Sequence, residues 1–151
     1  MKRVTLLLFV VITVSLPIFS QSNEIIDQIL LEERLSAGSA AYLLTVLEGD
    51  ASYGSREEAF GALQSEAVFE FLGLAAPDAE VNLGQFAHLV QRKLDLPRGL
   101  GSTLFPGPRY SLRDLKFLQM VQGRGAPDSP VSGERALRII GRALSELEER
   151  S

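Results

Sequence analysis

Two stretches of the sequence align without a gap, APDAEVNLGQFAHLVQRKL at residues 76–94 and APDSPVSGERALRIIGRAL at residues 126–144. Both begin with Ala-Pro-Asp, and in both the proline comes five positions before a polar residue that can cap a helix. These residues are Asn82 and Ser132, and an amphipathic helical pattern follows each of them. The match indicates an internal repeat in which each unit contains a proline turn, a cap and a helix.

A weaker third copy lies upstream, with Ala40 to Leu47 as its first helix and a second helix that begins at Ser55. In this alignment Ser55 takes the place of Asn82 and Ser132, and Ser39 caps the first helix. We expect units at about 37–63, 65–94 and 111–149, with a loop insertion at 95–110 and a further helical unit at 21–36. Chance similarity between helix–loop–helix elements is the alternative explanation.

Apolar residues recur with a helical period, and no stretch alternates convincingly with a period of two. The clearest helical segment is the last one, from Ser132 to the C-terminal region. We therefore predict an all-α fold, a small helical domain of two to three helix–loop–helix repeat units.

Residues 1–20, MKRVTLLLFVVITVSLPIFS, have the pattern of an export signal. Lys2 and Arg3 precede an apolar run that Pro17 interrupts, and small polar residues follow. We predict a signal peptide at 1–20, an exported chain in the periplasm or at the cell surface, and no membrane span after cleavage. An uncleaved membrane anchor is the alternative, although the run is shorter than the ~20 residues of a spanning helix.

The composition argues against several classes of site. The chain has no cysteine and one histidine, His88, so a thiolate metal site or a histidine-based triad within one chain is not expected. We expect His88 to be a satisfied surface or boundary side chain. The formal charge of −4 argues against nucleic acid as a partner. We predict no catalytic residues, no metal and no cofactor, with a wall-glycan hydrolase as a minor alternative.

The repeat resembles that of the S-layer homology family, whose units place a loop proline five residues before the threonine of an Ile/Val-Thr-Arg-Ala-Glu signature. Ser55-Arg56-Glu57-Glu58 is the closest match to that signature in this sequence. The resemblance implies a groove in which Arg56 and Glu58 contact an anionic cell-wall polysaccharide. The other two units have Leu83 and Gly133 at the arginine position, so the resemblance supports the fold better than the binding activity.

The insertion at 95–110, DLPRGLGSTLFPGPRY, is long and rich in turn residues, which is typical of a functional loop. We expect an aromatic and basic patch in it that contacts a sugar polymer or a partner protein. The patch residues are Arg98, Phe105, Arg109 and Tyr110. The alternative is that Leu104 and Phe105 fold back onto the core.

These observations together predict an exported, non-enzymatic module of the cell envelope that binds cell-wall polysaccharide or a peptidoglycan-linked polymer. The alternative is a periplasmic protein-interaction or assembly module, with an envelope protein as its partner and no affinity for glycan.

Overall fold

The computed structural model describes residues 18–49 and 52–150, and only the backbone of residues 18–22 and 150. Within these ranges the chain forms eight α-helices and no β-strand, which confirms the all-α prediction. The helices are α1 Ile18–Leu30, α2 Ala37–Leu47, α3 Arg56–Leu63, α4 Ala67–Phe71, α5 Leu83–Lys93, α6 Leu100–Leu104, α7 Pro108–Phe117 and α8 Gly133–Arg150. The predicted signal peptide lies outside the described residues, apart from its last three positions, which begin α1.

The helices pack as three pairs around a common centre. Helix α2 packs against α3, α5 packs against α7, and α8 packs against α1. Helix α2 also contacts α5 and α8, so the three pairs share one hydrophobic core. No helix in the described part of the chain has the length and apolar character needed to cross a bilayer.

Three short extended segments meet at the centre, and we call this arrangement the three-segment junction. It contains Leu35, Val81 and Val131, whose side chains are all buried. The Leu35 N–H donates to the Val131 carbonyl at 2.8 Å, and the Val81 N–H donates to the Leu35 carbonyl at 2.9 Å. These bonds satisfy backbone groups that burial would otherwise leave unpaired.

The same backbone contact recurs on successive sides of the junction. The Ala37 N–H donates to the Ala79 carbonyl at 2.8 Å, and the Leu83 N–H donates to the Ser129 carbonyl, also at 2.8 Å. On the third side the Gly133 N–H donates to the Glu32 carbonyl at 2.9 Å, just after the end of α1. The first turns of α2, α5 and α8 therefore surround one approximate threefold axis.

The structure places Ser36, and not Ser55, at the position equivalent to Asn82 and Ser132. The Ser36 hydroxyl caps α2 by accepting from the Ser39 N–H at 3.2 Å, whereas Ser55 caps α3 at the periphery. The sequence conceals this unit because no proline precedes Ser36 by five residues. In addition, both faces of α2 are buried, so its sequence has little amphipathic pattern.

The stretch at 95–110 is not a simple loop insertion. It contains α6 and the first residues of α7, which begins at Pro108. The predicted boundary of the third unit at 111 falls inside α7, where Ser111 is fully buried. Proline is favoured at the first position of a helix because its missing N–H would have no partner there.

Candidate functional site

Arg56 is the first residue of α3, where it faces the end of α1 across the start of α2. Its Nη1 makes a short ion pair with Glu32 Oε1. The same carboxylate accepts from the Ser39 hydroxyl at 2.6 Å and from the Ser36 N–H at 3.0 Å. Only 30% of the Arg56 side chain and 17% of the Glu32 side chain are exposed. The charge of Arg56 is therefore already balanced by a fixed, hydrogen-bonded carboxylate.

A groove of about 270 Å³ lies beside this ion pair, between α3 and the loop that precedes α5. We call it the first groove. Its charged lining residues include Arg56 but also three carboxylates, at Glu32, Glu57 and Asp78. Glu58 does not line it, because the Glu58 carboxylate turns back to accept from the Gly54 N–H at 2.8 Å. Arg56 and Glu58, the two residues that the family resemblance implies for polysaccharide binding, therefore do not line one groove together.

The equivalent groove, between α7 and the loop that precedes α8, has the opposite charge. Gly38 lies against the Pro77 carbonyl and the Arg56 side chain, and Gly84 lies in the same way against Pro127 and Pro108. This correspondence makes the N-terminal turn of α7 the counterpart of that of α3. The groove measures about 400 Å³, and we call it the second groove. Its lining residues are Arg109, Tyr110, Leu112, Arg113, Lys116, Gly125 and Pro127.

The charged side chains of the second groove are three cations on one face of α7. Arg109, Arg113 and Lys116 are spaced so that each is one turn from the next. The Lys116 ammonium donates to the Gly125 carbonyl at 2.7 Å, which joins α7 to the opposite wall. Neither arginine forms an ion pair with any carboxylate among the residues that the structure describes. Their charge is available to an anion from solvent.

An aromatic pair stands beside the second groove. The rings of Phe105 and Tyr110 are stacked, with centroids 6.2 Å apart and planes 28° from parallel. Phe105 is 64% exposed and Leu104 is also exposed, so these residues do not fold back onto the core. Tyr110 lines the groove, and its ring is packed over Gly101. Arg98 is exposed and lines neither groove.

Asp114 joins α7 to α5 and to the start of α6. Its Oδ2 accepts from the Gly99 N–H and from Gln91 Nε2, both at 3.0 Å, and from the Ser102 hydroxyl. Burial would raise the pKa of Asp114, but these hydrogen bonds outweigh it and the pKa lies below its ordinary value. The ionised carboxylate therefore fixes α6, and with it the aromatic pair, onto α7.

His88 is buried between α5 and α7 and is not a boundary side chain. Its Nδ1 lies 2.7 Å from the Ser111 hydroxyl, and the ring of Phe71 covers it at a centroid distance of 5.5 Å. Burial lowers the pKa of His88, and the charge of Arg92 lowers it further. The described part of the chain brings no three His, Asp or Glu side chains together in a metal-binding arrangement.

The sequence alone did not predict Glu32, Arg113 or Lys116 as residues of the candidate site. The spacing of Arg113 and Lys116 from Arg109 was visible, but only if α7 was known to begin at Pro108. No local sequence pattern marks Glu32, because it lies 24 residues before Arg56, the residue with which it pairs. Comparisons with protein-family models, curated proteins and solved structures gave no significant match.

Proposed function

We propose that this chain is an exported, non-enzymatic module of the cell envelope that binds an anionic cell-wall polymer in the second groove. The observation that carries the proposal is the charge of that groove, whose ionisable lining consists of Arg109, Arg113, Lys116 and the phenol of Tyr110. Guanidinium groups bind carboxylates and phosphates through paired hydrogen bonds, and wall polysaccharides carry such groups.

The shape of the region supports a polymer more than a small ligand. The groove is open to solvent along α7, and its surface is extended by the aromatic pair, in which Phe105 is exposed and Tyr110 is half-buried. Flat aromatic rings provide a surface on which sugar rings can stack without large entropic cost. Export to the periplasm or cell surface rests on the signal sequence at 1–20.

The resemblance to S-layer homology repeats supports the same proposal in a modified form. It implies binding between units through a signature arginine, and here the matching arginine, Arg56, is paired with Glu32. The equivalent groove one unit later has cations without acidic neighbours in its lining. We therefore assign polymer binding to the second groove and a structural role to Arg56.

A protein-interaction module remains a second candidate because of exposed apolar side chains near α6 and α7. Phe117 is 85% exposed and Leu100 is 84% exposed. We call these two side chains, together with the exposed Leu104 at the end of α6, the apolar margin. An envelope protein that covered this margin would not need the arginines of the second groove, which separates the two candidates experimentally.

The test is co-sedimentation of the purified chain with cell-wall sacculi. We expect Arg109→Gln/Arg113→Gln to reduce the apparent affinity at least about tenfold, because each lost charge-assisted hydrogen bond contributes roughly 1.5–3 kcal/mol. The matched control is Arg34→Gln/Arg98→Gln, which removes the same charge elsewhere on the surface. Binding that survives in the groove variant, or that disappears equally in the control, would overturn the proposal.

A further inference from the structure

Four arginines border a separate pocket of about 340 Å³ between α8 and residues 122–124. They are Arg124, Arg135, Arg138 and Arg142, and the other lining residues are Gln122, Gly123 and Ile139. No acidic side chain is in this lining, although the whole chain has a formal charge of −4. We call this feature the arginine pocket, and it shares no lining residue with the second groove.

Two of the four guanidinium groups are held in place by backbone carbonyls. Arg135 Nη2 donates to the carbonyls of Arg124 at 3.0 Å and Gln122 at 3.4 Å. Arg142 Nη1 donates to the Met120 carbonyl at 3.3 Å. A guanidinium has five N–H donors, so both groups keep donors for a ligand after these bonds. Their fixed position reduces the entropy that ordering them on binding would cost.

The internal repeat shows that the fold does not require charge at Arg135. Fifty residues earlier, Gln85 occupies the equivalent position in α5, and its Nε2 donates to the Leu72 carbonyl at 3.1 Å. That bond corresponds to the one from Arg135 to the Gln122 carbonyl. A neutral amide therefore makes the equivalent contact, so this contact does not require the positive charge of Arg135.

The charge of the pocket is only weakly balanced from within the chain. Glu134 approaches Arg138 at 3.4 Å, but both side chains are about 60% exposed. Exposed pairs one helical turn apart contribute only about 0.3–0.5 kcal/mol, so a ligand can displace this one at low cost. Bringing four cations around one cavity is otherwise unfavourable because like charges repel.

We propose that the arginine pocket binds a multivalent phosphate group, with a diphosphate as the chemical class that fits best. A diphosphate carries more charge than a single carboxylate and offers several acceptor oxygens to guanidinium groups that approach from different directions. The pocket volume is sufficient for such a group with part of its carrier. The carrier is either a soluble compound or a membrane lipid, because both sources present phosphate oxygens. This inference does not depend on polymer binding in the second groove.

The experiment is a calorimetric titration of the purified chain with inorganic diphosphate. We expect saturable binding that weakens at least about tenfold in Arg135→Gln/Arg138→Gln. The amide introduced at position 135 can still donate to the Gln122 carbonyl, just as the Gln85 amide donates to the Leu72 carbonyl. The matched control, Arg34→Gln/Arg98→Gln, removes equal charge from positions that line neither the arginine pocket nor the second groove, and it should retain binding within about twofold. Arg138→Gln alone provides a milder variant should the double one unfold.

A second arm identifies the source of the phosphate. Sedimentation with phosphatidylcholine vesicles, with and without phosphatidylglycerol, supports a lipid phosphate if the anionic vesicles bind in an Arg135- and Arg138-dependent manner. Diphosphate binding without such vesicle binding supports a soluble phosphate compound. The proposal is overturned if diphosphate gives no saturable binding, or if the arginine-pocket variant and the control lose binding equally. Neither result bears on sacculus binding through the second groove, which has its own test.

Discussion

The Gly84 N–H donates to the Pro127 carbonyl at 2.8 Å, and a Cβ atom at Gly84 would lie only 2.9 Å from that same oxygen. This contact places the first turn of α5 directly against the loop that precedes α8. The Gly38 N–H makes the same bond to the Pro77 carbonyl at 2.7 Å. Close backbone approach at these two glycines therefore sets the spacing of the units around the three-segment junction.

We predict that Gly84→Ala destabilises the chain by about 1–3 kcal/mol, because its methyl group would overlap the backbone of Pro127 and the ring of Pro108. The control is Gly141→Ala in α8, where an added Cβ meets no atom within 4 Å. That substitution should be neutral or stabilising by up to about 1 kcal/mol. Urea unfolding of both variants measures the difference, and equal stability would contradict the close approach.

The ion pair between Glu32 and Arg56 should act as a structural contact. A double-mutant cycle with Glu32→Gln and Arg56→Gln is expected to give a coupling energy of about 1 kcal/mol or more, since both side chains are mostly shielded from water. Arg56→Gln should also leave binding to sacculi unchanged. A coupling energy near zero, or lost sedimentation in Arg56→Gln, would instead make Arg56 a ligand-binding residue.

Stability should fall as the pH decreases from about 7.5 to 5.5. The folded-state pKa of His88 is lowered by burial and by Arg92, so the unfolded chain takes up a proton at a higher pH than the folded chain. The neutral form contributes its full stability above the unfolded pKa of about 6.5 and loses it progressively below that value. Because His88 is the one histidine of the sequence, His88→Gln should remove most of this dependence. An unchanged slope in urea titrations would refute the assignment.

Asp114→Asn should loosen α6 without unfolding the helix pair of α5 and α7. The carboxylate accepts three hydrogen bonds, and replacing it should cost about 1–3 kcal/mol in total, mostly at α6. Because the folded pKa of Asp114 is lowered, its contribution is present at neutral pH and is lost as the pH falls below about 3.8. Amide hydrogen exchange should speed up at 100–104 and stay constant in α5. Asp128→Asn, at an exposed position, is the control.

The sequence predicted those features that depend on local capping and helical period. Asn82 and Ser132 do cap α5 and α8, and the Asn82 cap forms a reciprocal pair with Gln85. The sequence did not predict Ser36 as the cap of α2, because the Ala-Gly-Ser-Ala stretch that follows it has no amphipathic pattern. Its placement comes from the long-range backbone bonds of the junction, which no local pattern encodes.

The candidate site was predicted only in part for a similar reason. Arg109 and Tyr110 were selected for their chemistry, and both line the second groove. Arg56 was selected from a resemblance, but the carboxylate that neutralises it lies on a separate segment. The charge state of a groove depends on which segments converge on it, and that convergence follows from packing.

The most direct test of the account follows the backbone amide NMR signals of the chain as a soluble, anionic fragment of wall polymer is added. We expect concentration-dependent shifts at 109–116 and 125–126, on the walls of the second groove, that disappear in Arg109→Gln/Arg113→Gln. Signals around Arg56 and Asp78, in the first groove, should stay in place. Shifts concentrated at the first groove, or no shifts at all, would contradict the assignment of polymer binding to α7.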